Sequence, residues 1–166
     1  GRAVLAQVEA PGYAPCAAVA AYLRDGQSLS EANAQTLRTV GDGLVACGLP
    51  FVVGADFNMS PSTLDESLFP AAVSARVFAL PDEVGTYTHD GNVSNLDYFL
   101  VRWDLADAAL DVQGIHGTVV PQHRPTQLRF KPKVAELTRP AVVQVQKLPV
   151  VPVFGPRPPP PRWCEA

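Results

Sequence analysis

The sequence predicts an α/β domain in which a mixed, mostly antiparallel sheet carries helical cover. Three observations point there. A segment with helical spacing is bounded by start and stop signals, a continuously apolar, β-branched run follows it, and a series of short strand-like segments separated by turn residues comes after. With 166 residues and 47% hydrophobic content the chain can bury one ordinary core, so a single domain or a large part of one is expected.

The chain opens on Gly1 and passes straight into apolar, strand-like residues from Ala3 to Val8, as expected of a sequence that begins inside a fold. Val19 to Leu23 reads as a buried strand entering a turn at Arg24-Asp25-Gly26. Ser28 with Glu31 three residues later has the form of a capping box. Leu29, Ala32, Leu37, Val40, Leu44 and Val45 then keep helical spacing until Gly48 supplies a stop. Residues 49–55, Leu-Pro-Phe-Val-Val-Gly-Ala, are too short for a typical helix and read as a strand buried on both faces. Ser60-Pro61 can open a second helix through Leu68, closed by Phe69-Pro70.

Val73 to Leu80 gives no clear signal. Short strands are expected at 85–88, 95–101, 111–119 and 124–130, with Asp90-Gly91 among the separating turns. From Pro132 onward repeated prolines, ending in Pro158-Pro159-Pro160-Pro161, favour polyproline II or coil, with short apolar pieces able to dock or add an edge strand. The expected organisation is a partial domain over 1–131 and a Pro-rich linker or tail over 132–166.

Net charge is only −3, but residues 1–111 hold 14 acidic and 5 basic side chains, whereas 112–166 hold 2 acidic and 8 basic. An acidic half suits a cation site. The stretch Arg124, Arg129, Lys131, Lys133, Arg139 can meet a polyanion or be plain solvated surface. Three widely spaced cysteines offer neither a disulfide framework nor a paired-cysteine zinc site, which fits a reducing, intracellular compartment. No uninterrupted apolar run approaches 18 residues, so no membrane association is expected.

Chemistry concentrates in three places. Gly54-Ala55-Asp56-Phe57-Asn58 delivers a carboxylate and a carboxamide at a strand end, two positions apart, where strand periodicity points both the same way. Oxygen ligands of this kind suit a hard cation such as Mg²⁺, although an isolated pair of this spacing more often shapes a turn. Asp97 lies within Ser94-Asn95-Leu96-Asp97-Tyr98-Phe99-Leu100-Val101, and His123 lies in Gln122-His123-Arg124-Pro125. The 26 positions between Asp97 and His123 allow a strand, a connection and a returning antiparallel strand that brings the two together.

In that order, the three segments resemble the second half of the endonuclease/exonuclease/phosphatase superfamily (exonuclease III/DNase I-like), with its G-D-F-N, L/I-D-Y and S-D-H-x-P motifs. The resemblance spans about residues 3–131. It implies the C-terminal half of a four-layer α-β-β-α sandwich and metal-dependent hydrolysis of phosphodiesters, with Mg²⁺ (or Mn²⁺) as cofactor and DNA or RNA as partner. It further implies that Asp56 and Asn58 serve the metal and the nucleophilic water, that Asp97 orients His123 toward the scissile phosphate, and that Tyr22 hydrogen-bonds that phosphate. Tyr22 can equally be an aromatic packed at a strand end. Thr86-Tyr87-Thr88 stands where the family has a strand bordering the site, and His89 before Asp90-Gly91 reads as a hairpin residue.

Two departures stand out. Gln122 replaces the carboxylate that precedes the family's histidine, and the family's N-terminal half, with its strand asparagine and metal-ligating glutamate, has no counterpart here. Glu9 lies too close to Tyr22 to serve as that glutamate. The parent is expected to supply the missing half, and the endonuclease region of a retroelement polyprotein would account for the Pro-rich tail. The alternatives are an inactive or truncated member that binds nucleic acid through its basic stretch, and an interaction protein whose Arg157 to Arg162 segment serves an aromatic groove.

Overall fold

In a computed structural model the described residues are 1–9, 14–115 and 120–131. The Pro-rich segment, Lys133 and Arg139 lie outside them, as does the end of the strand expected over 111–119. By contacts the chain divides into Gly1–Glu136 and Leu137–Ala166, and the second unit falls wholly outside the described residues.

The first unit is built on a five-stranded mixed sheet of order β1-β2-β3-β7-β4, comprising β1 (Arg2–Val8), β2 (Cys16–Tyr22), β3 (Phe51–Asp56), β7 (Asp97–Arg102) and β4 (Ala75–Phe78). Only β2 and β3 run parallel, which the intervening helix α1 (Glu31–Cys47) makes possible as a crossover connection. Two hairpins form separate two-stranded sheets: β5 (Tyr87–His89) with β6 (Asn92–Ser94), turned at Asp90-Gly91, and β8 (Ala109–Gly114) with β9 (Thr126–Phe130). Short helices α2 (Pro61–Glu66), α3 (Phe69–Ala72) and α4 (Trp103–Ala106) complete the unit.

The core lies between α1 and one face of the sheet. Leu37, Val40 and Leu44 from the helix cluster with Ala17, Val19, Phe51, Val53, Ala55, Tyr98 and Leu100. Burying each large aliphatic side chain is worth about 1.5–3 kcal/mol, which outweighs the modest helix propensity of a segment with Gly41 and Gly43 inside it. The opposite face is open. β3 alternates buried and half-buried, Ala20 is exposed, and every residue of β1 is exposed, Val4 at 69%. The expectation that β3 is buried on both faces is therefore corrected: its run is apolar on both sides, but only the α1 side is covered among the described residues.

Three further expectations change. The helix cap is Ser30, whose hydroxyl accepts from the Asn33 N–H, not Ser28, which sits at φ 40° in the preceding turn. Glu31 consequently pairs with Arg38 instead of closing a capping box. Phe69-Pro70 does not end a helix but starts one, because Leu68 turns the chain through φ 60° and Pro70 fits the first turn. The strand returning after Asp97 does not pair with β7: β8 pairs with β9, and His123 instead bridges Tyr87. The two cysteines among the described residues, Cys16 and Cys47, are free thiols. Among the described residues no helix is long and apolar enough to cross a membrane.

One buried polar side chain fixes the β2–α1 connection. Asn33 is fully buried on α1. Its oxygen accepts the Arg24 N–H at 2.8 Å, and its amide donates to the carbonyls of Arg24 (3.0 Å) and Ser28 (2.8 Å). Asn33→Ala strips all three partners and is expected to lower unfolding free energy by about 1–3 kcal/mol in urea titration. An unchanged midpoint would show that the loop finds equivalent partners in water.

Candidate active site

Backbone register assembles the site. Tyr22 pairs with Asp56 across β2–β3, and Asp56 pairs with Asp97 across β3–β7. Partners in register share a face, so three polar side chains stand side by side on the open face at one end of the sheet. They are there because each strand is apolar up to that end and becomes polar where the ladder stops.

His123 reaches this row from outside the sheet. Its Nδ1 lies 2.9 Å from Asp97 Oδ2, with both side chains partly exposed (31% and 27%). Asp56, Asp97 and His123 each offer a ligand atom, all within 4.8 Å of one another. An ionised Asp97 can only accept a hydrogen bond. This pairing therefore places a proton on Nδ1 and leaves Nε2 for a ligand.

Several groups hold this geometry. Thr86, almost fully buried, accepts through Oγ1 from the backbone N–H groups of both Leu96 and Asp97 at 2.9 Å, fixing the start of β7. Arg124 N–H donates to the Thr86 carbonyl and Thr88 N–H to the Gln122 carbonyl, stitching residues 122–124 along β5. The Tyr87 ring lies against the His123 imidazole with centroids 4.9 Å apart. The threonine–tyrosine pair was visible in sequence as a strand beside the site. That Thr86 ties down the residue that orients His123 was not, because the hydrogen bonds run from backbone groups ten and eleven positions later.

Asn58 reaches the site differently from the sequence expectation. β3 ends at Asp56, and Asn58 adopts φ 51°, so strand alternation does not set its direction. Its N–H donates to Asp56 Oδ1 (3.1 Å) and its side-chain amide to the Leu23 carbonyl (2.8 Å), which leaves its oxygen as the remaining acceptor. Gln122, at φ 63°, turns its amide toward His89 Nδ1 at 3.3 Å and adds no charge beside His123. Tyr22 is half exposed in the row beside Asp56.

Burial pushes the Asp56 carboxyl above its usual range, and the nearby Asp97 charge pushes it further; hydrogen bonding from the Asn58 backbone and the nearness of His123 only partly offset this. Two carboxylates side by side at a strand end are thus electrostatically uncomfortable, and a divalent cation on their oxygens would relieve the repulsion. Hard oxygen donors of this type fit Mg²⁺ or Mn²⁺ bound largely through water.

A raised folded-state pKa means that this carboxyl stabilises the fold when protonated, and that the stabilisation is lost as pH rises through the folded value. In chelator at pH 7, Asp56→Asn is accordingly expected to raise Tm. The gain should disappear below the ordinary aspartate range. A variant that melts lower than wild type at pH 7 would contradict the strain assigned to this carboxylate.

No protein-family model matches the chain, and no curated protein matches it in sequence. Solved structures do match in shape. The endonuclease domain of TRAS1, a telomere-specific non-LTR retrotransposon, superposes with a TM-score of 0.62 at 13% identity, over 77% of this chain and 63% of that one. A 3′-5′ exonuclease from Neisseria meningitidis gives 0.55 at 14% identity, over 76% and 64%. An AP endonuclease from Archaeoglobus fulgidus gives 0.51 at 15% identity, also over 76% and 64%. The chain thus spans just under two thirds of each of these three structures. With its mixed sheet, its single helical layer and its polar row at the ends of β2, β3 and β7, the chain has the fold of the endonuclease/exonuclease/phosphatase, or DNase I-like, superfamily.

Proposed function

We propose that the protein is a divalent-metal-dependent phosphodiesterase acting on nucleic acid, possessing the C-terminal half of its catalytic domain within this chain. The observation that carries this reading is the 2.9 Å pairing of His123 with Asp97 directly beside Asp56, three groups delivered by separate segments to one point. The nuclease names of the structural neighbours favour nucleic acid over other phosphoesters, and the TRAS1 endonuclease domain favours a retroelement setting.

In this reading water attacks phosphorus in line with the departing oxygen. Asp56 orients that water and takes its proton, a role helped by a carboxyl held above its usual range. Asn58 offers its free amide oxygen to the nucleophile or to the cation. His123, held by Asp97, turns Nε2 to the phosphoryl oxygens and stabilises their growing charge, and Tyr22 adds a hydrogen bond from the neighbouring strand. Asp56 and Asn58 would hold Mg²⁺ or Mn²⁺, which would supply neutralisation of charge on phosphate and leaving oxygen. Away from the polar row at its end, the open face over β1 and β2 would receive the N-terminal half of the domain as a second sheet.

A second reading, a family member that binds nucleic acid without cutting it, is favoured by Gln122, which brings an uncharged amide turned toward His89. Nicking of supercoiled plasmid separates the two. Mg²⁺-dependent nicking is expected from the wild-type chain joined to the N-terminal half of its domain, with loss of about 10²–10⁴-fold in His123→Ala and abolition in Asp56→Ala. Asp97→Asn should lose about 10–100-fold through misorientation of the imidazole. Equal nicking by wild type and Asp56→Ala would place the activity elsewhere. Salt-dependent binding with no nicking would favour the second reading.

A further inference from the structure

The polar row does not stop at Tyr22. In β1–β2 register Arg2 pairs with Tyr22, so Arg2, Tyr22, Asp56 and Asp97 form one line across four adjacent strands on one face. With strands about 4.8 Å apart, Arg2 lies two strands, or roughly 10 Å of backbone, from Asp56. Arg24, two residues beyond Tyr22 and past the end of β2, turns to the same place: Gly1, Arg2, Tyr22 and Arg24 line a cavity of about 650 Å³ open to solvent.

The two guanidiniums there differ from the other arginines of the described residues. Arg38, Arg76, Arg102 and Arg129 each pair with a carboxylate, and Arg124 donates to the Val84 carbonyl. Arg2 and Arg24 have no side-chain partner among the described residues. The backbone that carries Arg24 is nonetheless fixed, its N–H and carbonyl both held by buried Asn33 and the preceding Leu23 tied to Asp56 and Asn58. Two cations unpaired among the described residues, on a pinned framework and flanking a phenol, suit an oxyanion, and the proposed phosphodiesterase site beside them makes phosphate the oxyanion to expect.

We propose that Arg2 and Arg24, beyond Tyr22, form a second anion site, which holds a phosphodiester of the same strand next to the scissile one. The proposal rests on the phosphodiesterase reading for the identity of the polymer. It adds that the enzyme engages a chain of phosphates rather than an isolated phosphate ester, because a monophosphate seated at Asp56 and His123 would leave these two cations unanswered. Asn33 is then a positioning residue, acting through the Arg24 backbone.

Binding without metal tests this. A labelled twenty-nucleotide DNA strand is titrated in EDTA at several salt concentrations against wild type, Arg2→Gln, Arg24→Gln, the double variant, and Arg2→Lys with Arg24→Lys. Glutamine keeps most of each side chain's length, and far-UV circular dichroism confirms that each variant folds. Each Arg→Gln change is expected to weaken binding about 3- to 10-fold and to flatten the slope of log K against log salt by about 0.7, the value for one single-strand phosphate contact. The lysine pair should restore the slope. Wild-type slope and affinity in the double glutamine variant would overturn the proposal, as would complete displacement of the strand by millimolar inorganic phosphate, which would mark a site for the free anion. The outcome is separable from catalysis. Arginine-dependent binding by a protein that never nicks plasmid even when joined to its N-terminal half supports this site and defeats the catalytic reading, whereas arginine-independent binding by a protein that does nick DNA does the opposite.

Discussion

The in-register pairing of Asp56 with Asp97 is the constraint around which the rest is arranged. Cross-strand register makes the two residues neighbours on one face, and partial burial together with the Asp97 charge raises the cost of charging Asp56. A sheet built for stability alone would not place two carboxylates there. Around them the chain collects compensations: the imidazole of His123 on Asp97, the Asn58 N–H on Asp56, and Thr86 holding the Asp97 backbone. Each compensation also fixes a direction, so the groups that make the carboxylates tolerable are the groups that aim them.

Local signals in the sequence were good where a single segment decides its own structure. The helical spacing from Ala32 to Val45, its stop at Gly48 and the apolar run before Asp56 all correspond to observed elements, while Leu29 falls in the turn before the cap. The capping residue was misplaced by two because Ser28 and Ser30 are chemically equivalent candidates, and the choice falls to Asn33, whose tertiary bonds to Arg24 and Ser28 require the turn that Ser28 makes. β6 and α4 are three and four residues long and have no periodicity to detect in sequence.

The site was legible as residue types and order, and less so as geometry. Asp97 and His123 do meet, but not through a strand returning along β7; the contact comes from residues 122–124 bonded to β5, a pairing that no local pattern announces. Arg2 carried no signal at all. One arginine at the start of an exposed strand looks like ordinary surface until register shows that it continues the line of Tyr22 and Asp56.

β1 has one neighbouring strand and only slight contact with α1, and all its residues are exposed, whereas β3 is clamped between two strands and packed beneath α1. Opening therefore begins at that margin and costs far less than melting the core. Because Arg2 rides on β1 while the carboxylates and the imidazole sit on inner segments, the molecule has two thresholds. On warming, the Arg2 end of the polar row comes away first while Asp56, Asp97 and His123 stay together, unless another layer of protein clasps the loose margin.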